Sequence, residues 1–254
     1  MQVVLRTEGL VKRFGGLLAT DHVNFELREG EIKGLIGPNG AGKTTFFNLL
    51  TGVFLPDSGK VFYLGEDITG MTSDKICRKG LVRTYQITSV FPKLSVFENV
   101  RLSAHIGFQG TVSAVKGALS FQEVVEKVDH ILELTGMVEF RNKIAGEISQ
   151  GDQRLLEVAI ALGSNPKVLL LDEPTAGLSA KETGDLADRI RDLFEKKVFR
   201  SVVLIEHDLE VLINLAHTIC VLNYGEVIKD GTTDEVCNDT KVQEVYLAGG
   251  KVNA

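Results

Sequence analysis

Residues 37–44 read Gly37-Pro38-Asn39-Gly40-Ala41-Gly42-Lys43-Thr44, a G-x-x-x-x-G-K-[ST] loop set between an apolar run and a helical one. No other stretch constrains the fold as much. Glycines let successive backbone N–H groups turn inward around a phosphate, where side chains would obstruct the approach. Lys43 supplies a point charge to the β and γ oxygens of a nucleoside triphosphate, and Thr44 offers a hydroxyl to Mg²⁺. The helix expected to begin near Lys43 turns its positive end toward the same anion. Upstream, Ile32-Lys33-Gly34-Leu35-Ile36 is a short, mostly apolar run of the kind a buried strand needs. Downstream, residues 45–50 carry a helix that Gly52 should stop. The competing reading is a strand-to-helix turn with no ligand, and the strand before and helix after the loop favour phosphate.

A chain of 254 residues can bury a substantial core, as one large domain or as a core with an inserted lobe. Its hydrophobic fraction of 44% and charged fraction of 24% are those of a soluble globular protein. A net charge of -6 argues against a dedicated nucleic-acid binder, so no nucleic-acid partner is expected. No apolar stretch approaches the ~20 residues that cross a bilayer. The opening Met1-Gln2-Val3-Val4-Leu5-Arg6 lacks the layout of a secretory signal, so neither a signal peptide nor a transmembrane segment is expected. Cys77, Cys220 and Cys237 form no metal-spaced pair and read as plain thiols in a reducing cytoplasm.

The second decisive stretch is Val168-Leu169-Leu170-Leu171-Asp172-Glu173-Pro174. Four aliphatic residues in a row suit a central parallel strand buried on both faces. Two carboxylates at its end are costly to bury unpaired and should face a cation or water. Ligands of open α/β sheets gather at the carboxyl ends of strands, where this pair falls. Asp172 is therefore the expected partner of Mg²⁺, and Glu173 the group that polarises an attacking water. The alternative is a pair that caps the following helix.

With these two elements the chain resembles, over practically its whole length, the ATP-binding subunit of an ABC (ATP-binding cassette) transporter. Gln86, in Arg83-Thr84-Tyr85-Gln86, stands where that family keeps a glutamine that contacts Mg²⁺ and water. Ser149-Gln150-Gly151-Asp152-Gln153 stands where the family's Ser-Gly-Gly-Gln signature lies, with Gln150 for its first glycine and Asp152 for its glutamine. His207, in Ile205-Glu206-His207-Asp208, matches the histidine that reaches the γ-phosphate, and Phe14 resembles the aromatic that stacks on adenine. The resemblance implies ATP and Mg²⁺ as cofactors. It implies Gly37, Pro38, Asn39, Gly40, Ala41, Gly42, Lys43, Thr44, Thr45 and Phe14 as ATP contacts, and Thr44, Gln86 and Asp172 around the metal. Glu173, His207 and Gln86 would be catalytic, and residues 149–153 would meet ATP held by a partner. The family's D-loop usually ends in aspartate, whereas Ala176-Gly177-Leu178-Ser179 has serine there.

The fold expected is α/β: a P-loop NTPase core with a mostly parallel sheet, an antiparallel β edge and an inserted α-helical subdomain. Strands are expected at 3–8, 23–27, 31–37 and 60–64, with turns at 58–59 and 64–67. Residues 87–165 read as the helical subdomain, with 123–134 its clearest amphipathic run. Residues 1–86 and 166–254 read as the core. Beyond it, strand and helix alternate at 168–171, 181–197, 201–206, 209–215 and 219–222, as in parallel βα units, with a tail helix at 235–247. The stripe Leu186, Ile190, Leu193, Phe194 is core packing.

Ser149 and Gly151 follow the helical lobe and are poorly placed to fold back onto Lys43 of the same chain. By resemblance they cap the γ-phosphate at a partner's loop, so two ATP molecules lie between two ATPase subunits, the second expected to be a different chain. Hydrolysis would release the pair and drive transmembrane permease subunits from the cytoplasmic face of the membrane, with an extracytoplasmic binding protein engaged indirectly. The docking groove is expected at residues 86–99, through Ile87, Val90, Phe91, Leu94, Val96 and Phe97. Local wording, in Val96-Phe97-Glu98-Asn99-Val100 and Val245-Tyr246-Leu247 among others, looks like the importers of branched-chain amino acids. Cassettes for urea and short amides share it. A soluble non-transport ABC ATPase and a P-loop kinase or GTPase are the readings from other classes.

Overall fold

Apolar alternation at the start of the chain builds a long hairpin. β1 (Val3–Phe14) and β2 (Leu17–Arg28) pair antiparallel, with Leu5 opposite Leu27, Thr7 opposite Phe25 and Phe14 opposite Leu17. The computed structural model describes residues 2–84, 90–105 and 117–248. They fall into two compact units. One comprises Met1–Ile76, Leu170–Glu173 and Arg200–Ala254, the other Cys77–Leu169 and Pro174–Phe199.

The hairpin outruns the strands expected at 3–8 and 23–27. Gly9, just past the expected strand 3–8, sits at φ 54 in a register shift of β1, and its N–H donates to the Asn24 side chain at 2.9 Å. A bulge thus absorbs the glycine, and the ladder continues to Phe14. β4 (Ser58–Tyr63) and β5 (Glu66–Asp67) complete a four-stranded antiparallel sheet in the order β2-β1-β4-β5.

The second sheet of this unit is mainly parallel. β3 (Ile32–Ile36), buried throughout, lies between β8 (Ser201–Ile205) and β9 (Thr218–Asn223), with Gly34 opposite both Leu204 and Ile219. β10 (Glu226–Thr232) adds an antiparallel edge to β9. The last residues of β7 (Val168–Asp172) also belong here, giving the order β10-β9-β3-β8-β7. Strands buried on both faces explain the unbroken aliphatic runs of β7 and β8. Gly34 has a packing reason: a Cβ there would stand 3.0 Å from Leu212 of α7 (Leu209–Leu215). α1 (Lys43–Leu50) leaves the phosphate loop and is anchored by Phe46, edge-on to Phe25 of β2 at 5.3 Å. The expected single tail helix is two, α8 (Thr233–Cys237) and α9 (Thr240–Ala248). Asp239 divides them by accepting the Lys241 and Val242 N–H groups at 2.9 and 3.2 Å, which starts a new helix.

α2 (Ser73–Lys79) leads into the second unit, which holds the short strand β6 (Leu81–Arg83) and four helices: α3 (Val96–Ala104), α4 (Gly117–Thr135), α5 (Gln150–Gly163) and α6 (Ala180–Glu195). Val100 and Ala104 of α3, Val128 and Leu132 of α4, and Leu156 and Ala159 of α5 are fully buried. α3 and α5 approach so closely that a Cβ at Gly163 would fall 1.9 Å from Ser103 Oγ. Leu186, Ile190 and Leu193 of α6 are core, as their helical spacing suggests.

Candidate nucleotide site

The loop between β3 and α1 is held by its own backbone and by neighbours far away in sequence. A Cβ on Gly37 would come 2.2 Å from the Leu222 carbonyl oxygen, and one on Gly42, at φ 102, 2.2 Å from that of Ala19. Both positions therefore require glycine. On the same side the β9–β10 turn grips the loop: Gly225 N–H donates to the Ala41 carbonyl at 3.0 Å, and the Gly225 carbonyl accepts from Asp21 N–H at 2.8 Å. On the open side, Asn39, Gly40 and Thr44 are exposed, Pro38 and Thr45 are half-buried, and nothing lies within 4 Å of a Cβ built on Gly40.

Lys43 is 6% exposed and donates to the carbonyls of Gly37 at 2.6 Å and Pro38 at 3.2 Å. Burial pulls its ammonium below the usual lysine value, while the charges of Glu173 and Asp172 pull it back up. The two carboxylates at the end of β7 are therefore close enough to act on this cation through their charge. Asp172 is 2% exposed. Glu173 sits at φ 50, a left-handed backbone that costs a non-glycine residue of order 1–3 kcal/mol. Its N–H donates to the Ile205 carbonyl of β8 at 2.9 Å, which fixes the turn and aims the side chain at His207. Glu173 Oε1 and His207 Nε2 lie 2.7 Å apart. Lys43, Asp172, Glu173 and His207, spread over 165 positions of sequence, thus form one cluster.

Phe14 is at the tip of the β1–β2 hairpin, 42% exposed, with its ring edge-on to Phe54 at 5.3 Å. Asp57, which sequence reasoning missed, holds the tip in place. Its carboxylate accepts the Arg13 N–H at 2.6 Å and the Lys12 ammonium at 3.0 Å. Those contacts, the backbone one foremost, hold Asp57 below the usual carboxylate range. Gly225 was missed as well, and its only sequence signal was the Asn223-Tyr224-Gly225 turn. Gln86 and Ile87 lie outside the described residues.

In the second unit Ser149 is the N-cap of α5, and its Oγ accepts the Asp152 N–H at 3.1 Å. Ser149 and Gln150 are exposed, while Gly151, Asp152 and Gln153 are half-buried. Ser179, the D-loop serine, caps α6 in a full capping box with Glu182. In the expected docking segment Phe91 is 56% exposed, but Val96 is fully buried and belongs to the core instead. Asn99, buried, shapes this segment by accepting from Phe91 N–H at 2.8 Å and donating to the Phe91 and Ser95 carbonyls.

Residues 20–176 match the family model described as ABC transporter. The chain belongs to the ABC transporter family. This cassette is 39% identical over 249 residues to the high-affinity branched-chain amino acid transport ATP-binding protein BraF of Pseudomonas aeruginosa, a match covering 96% of this chain and 97% of that protein. It is similar to a crystal structure of the ADP conformation of an ATP-binding cassette of an ABC transporter, at a TM-score of 0.87 and 31% identity, covering 99% and 100% of the two chains. A dimeric cassette in a post-hydrolysis state, bound to ADP and Pi, matches at a TM-score of 0.76 and 25% identity over 90% of this chain and 98% of that one. The cassette binds nucleotide and is an ATPase whose activity is coupled to transport. Among the described residues, no helix is long and apolar enough to cross a membrane.

Proposed function

We propose that this cassette hydrolyses ATP to power an importer of branched-chain amino acids, working at the cytoplasmic face of the membrane. The reading of the substrate rests on the likeness to BraF over nearly the whole of both chains. The reading of the chemistry rests on one observation, the cluster of Lys43, Asp172, Glu173 and His207 at the end of the parallel sheet.

In this reading the γ-phosphate displaces the Gly37 and Pro38 carbonyls from Lys43, and loop N–H groups within residues 39–45 cradle the β-phosphate. Phe14 stacks on adenine, with its tip already fixed by Asp57. The Thr44 hydroxyl and the Asp172 carboxylate are hard oxygen donors on the phosphate side of Lys43, a donor set that suits Mg²⁺. Gln86 would add a third by resemblance. When bound, the metal would neutralise charge on the phosphate oxygens. Glu173 takes the proton of the water that attacks the γ-phosphorus as the bond to ADP breaks. His207 holds that carboxylate through Oε1 and contacts the γ-phosphate from the same position.

Ser149, Gln150, Gly151, Asp152 and Gln153 meet the nucleotide of the neighbouring ATPase subunit, proposed to be a different chain. A similar cassette is known as a dimer with ADP and Pi, which supports the pairing. Residues 87–165 serve as the helical subdomain, and the segment around Phe91 docks the permease subunits. A binding protein outside the membrane delivers the amino acid. Uptake of labelled leucine by cells carrying Glu173→Gln tests the assignment. Uptake should be abolished, and leucine uptake at the wild-type rate would contradict it.

A further inference from the structure

Two acids crowd the groups that the signature would offer to phosphate, one at Ser149 and one at Gly151. The Ser149 hydroxyl donates to Asp152 Oδ2 at 2.7 Å while its oxygen accepts the Asp152 N–H. Both faces of the hydroxyl are therefore in use. The Gly151 amide, in the first turn of α5, lies beside the Glu182 carboxylate at the start of α6 and, after Ser179, helps hold it below the usual carboxylate range. Glu182 Oε1 faces Gly151, lying 3.2 Å from where a Cβ would stand, while Oε2 accepts from Ser179 N–H and Oγ at 3.0 and 2.7 Å.

Ordinary helix capping accounts for the Ser149–Asp152 pair but not for the approach of Glu182 to Gly151 on another helix. At the starts of α3, α6 and α8 the acid three residues in takes the backbone N–H of the cap residue, the usual reciprocal box. At α5 Asp152 takes the serine hydroxyl, as Glu98 and Glu182 do at α3 and α6, but its shorter side chain does not take the cap N–H, and that box is incomplete. The only basic residue in the first turns of α5, Arg154, is engaged by Glu157 at 3.1 Å and is largely buried. The negative charge at this helix start is therefore left facing whatever approaches Ser149.

We propose that Asp152 and Glu182 are positioning residues that stand in for the partner's γ-phosphate on the signature, so that ATP must displace them before the two subunits close. This deepens the proposed function and rests on its reading of a shared nucleotide. An approaching γ-phosphate competes for Ser149 Oγ and Gly151 N–H with groups of its own sign, and like-charge juxtaposition at an interface opposes association. Closure at this half-site then needs more ATP than a signature with neutral residues there would need.

The test uses the full chain carrying Glu173→Gln, with MgATP as the probe. Its association with the other ATPase subunit co-purified from membranes is followed by sedimentation. Asp152→Asn and Glu182→Gln keep hydrogen-bonding shape, and glutamine preserves the capping box. Each should lower the MgATP concentration for half-maximal association about 3–10-fold, the scale of one relieved like-charge contact. Added salt should tighten the parent pair by screening the acids and should have less effect on the double variant. A purely structural role for the acids would move thermal stability and leave that salt response unchanged. If the parent pair forms with MgATP and the variants match it in both readouts, the proposal is overturned. If MgATP drives no association at all, the shared-nucleotide reading itself fails and takes this one with it.

Discussion

His207 Nε2 and Glu173 Oε1 lie 2.7 Å apart, joining the end of β8 to the end of β7 beside the buried Lys43. The pair holds Glu173 through one carboxylate oxygen, Oε1. Glu173→Gln keeps the shape but loses the base. Turnover should fall about 10²–10⁴-fold, the scale of a lost general base, while ATP binding is retained. Phosphate release and an ATP titration measure the two separately, and turnover near wild type would remove Glu173 from this role.

The state of Lys43 gives a pH signature. Burial lowers its pKa from 10.5 in the free chain, and a bound triphosphate would raise it again. In the window just below 10.5, ATP binding should therefore take up a proton, and affinity should fall as pH rises. Stability of the free chain should run the other way. There the unfolded state holds the proton that the folded state has lost, so stability rises with pH across the same window. Calorimetric titration in two buffers of different ionisation heat reads the uptake directly, and Lys43→Ala should abolish binding.

Gly163→Ala tests the contact between α3 and α5. The added Cβ would meet Ser103 Oγ at 1.9 Å and the Ala104 nitrogen at 2.9 Å, so the helices must separate. Overpacking of this kind costs about 1–3 kcal/mol. The Tm should drop by several degrees, and an unchanged Tm would show that the helices part freely.

Phe91, exposed on the turn that Asn99 braces, is the best remaining candidate for the permease contact. Phe91→Arg should leave ATP binding intact and release the cassette from the membrane fraction. Retention on membranes at wild-type level would place the contact elsewhere.

Much of the site was legible because its residues follow local rules. The phosphate loop, the β7 carboxylates and His207 each stand at the end of an apolar run that announces a buried strand. What escaped depends on partners distant in sequence. Asp57 gains its meaning from Arg13 and Lys12, and Gly225 from Ala41 and Asp21, pairs that no periodicity reveals. Lys33 in the middle of β3 is 5% exposed and tolerated because Asp230 meets it at 2.8 Å, 197 residues away. The strand expected at 3–8 falls short for a local reason, since a bulge absorbs Gly9 and lets β1 run on. Val96 misled because an apolar residue in a surface segment looks alike whether it faces inward or outward.

The central claim is that nucleotide held on Lys43 of one subunit is completed by a signature serine of its neighbour. A structure of the Glu173→Gln assembly with MgATP tests it most directly. The account predicts Ser149 Oγ within hydrogen-bond reach, about 3 Å, of a γ-phosphate oxygen bound by the adjoining subunit. A closed assembly in which Ser149 remains on Asp152, remote from every phosphate, would contradict it.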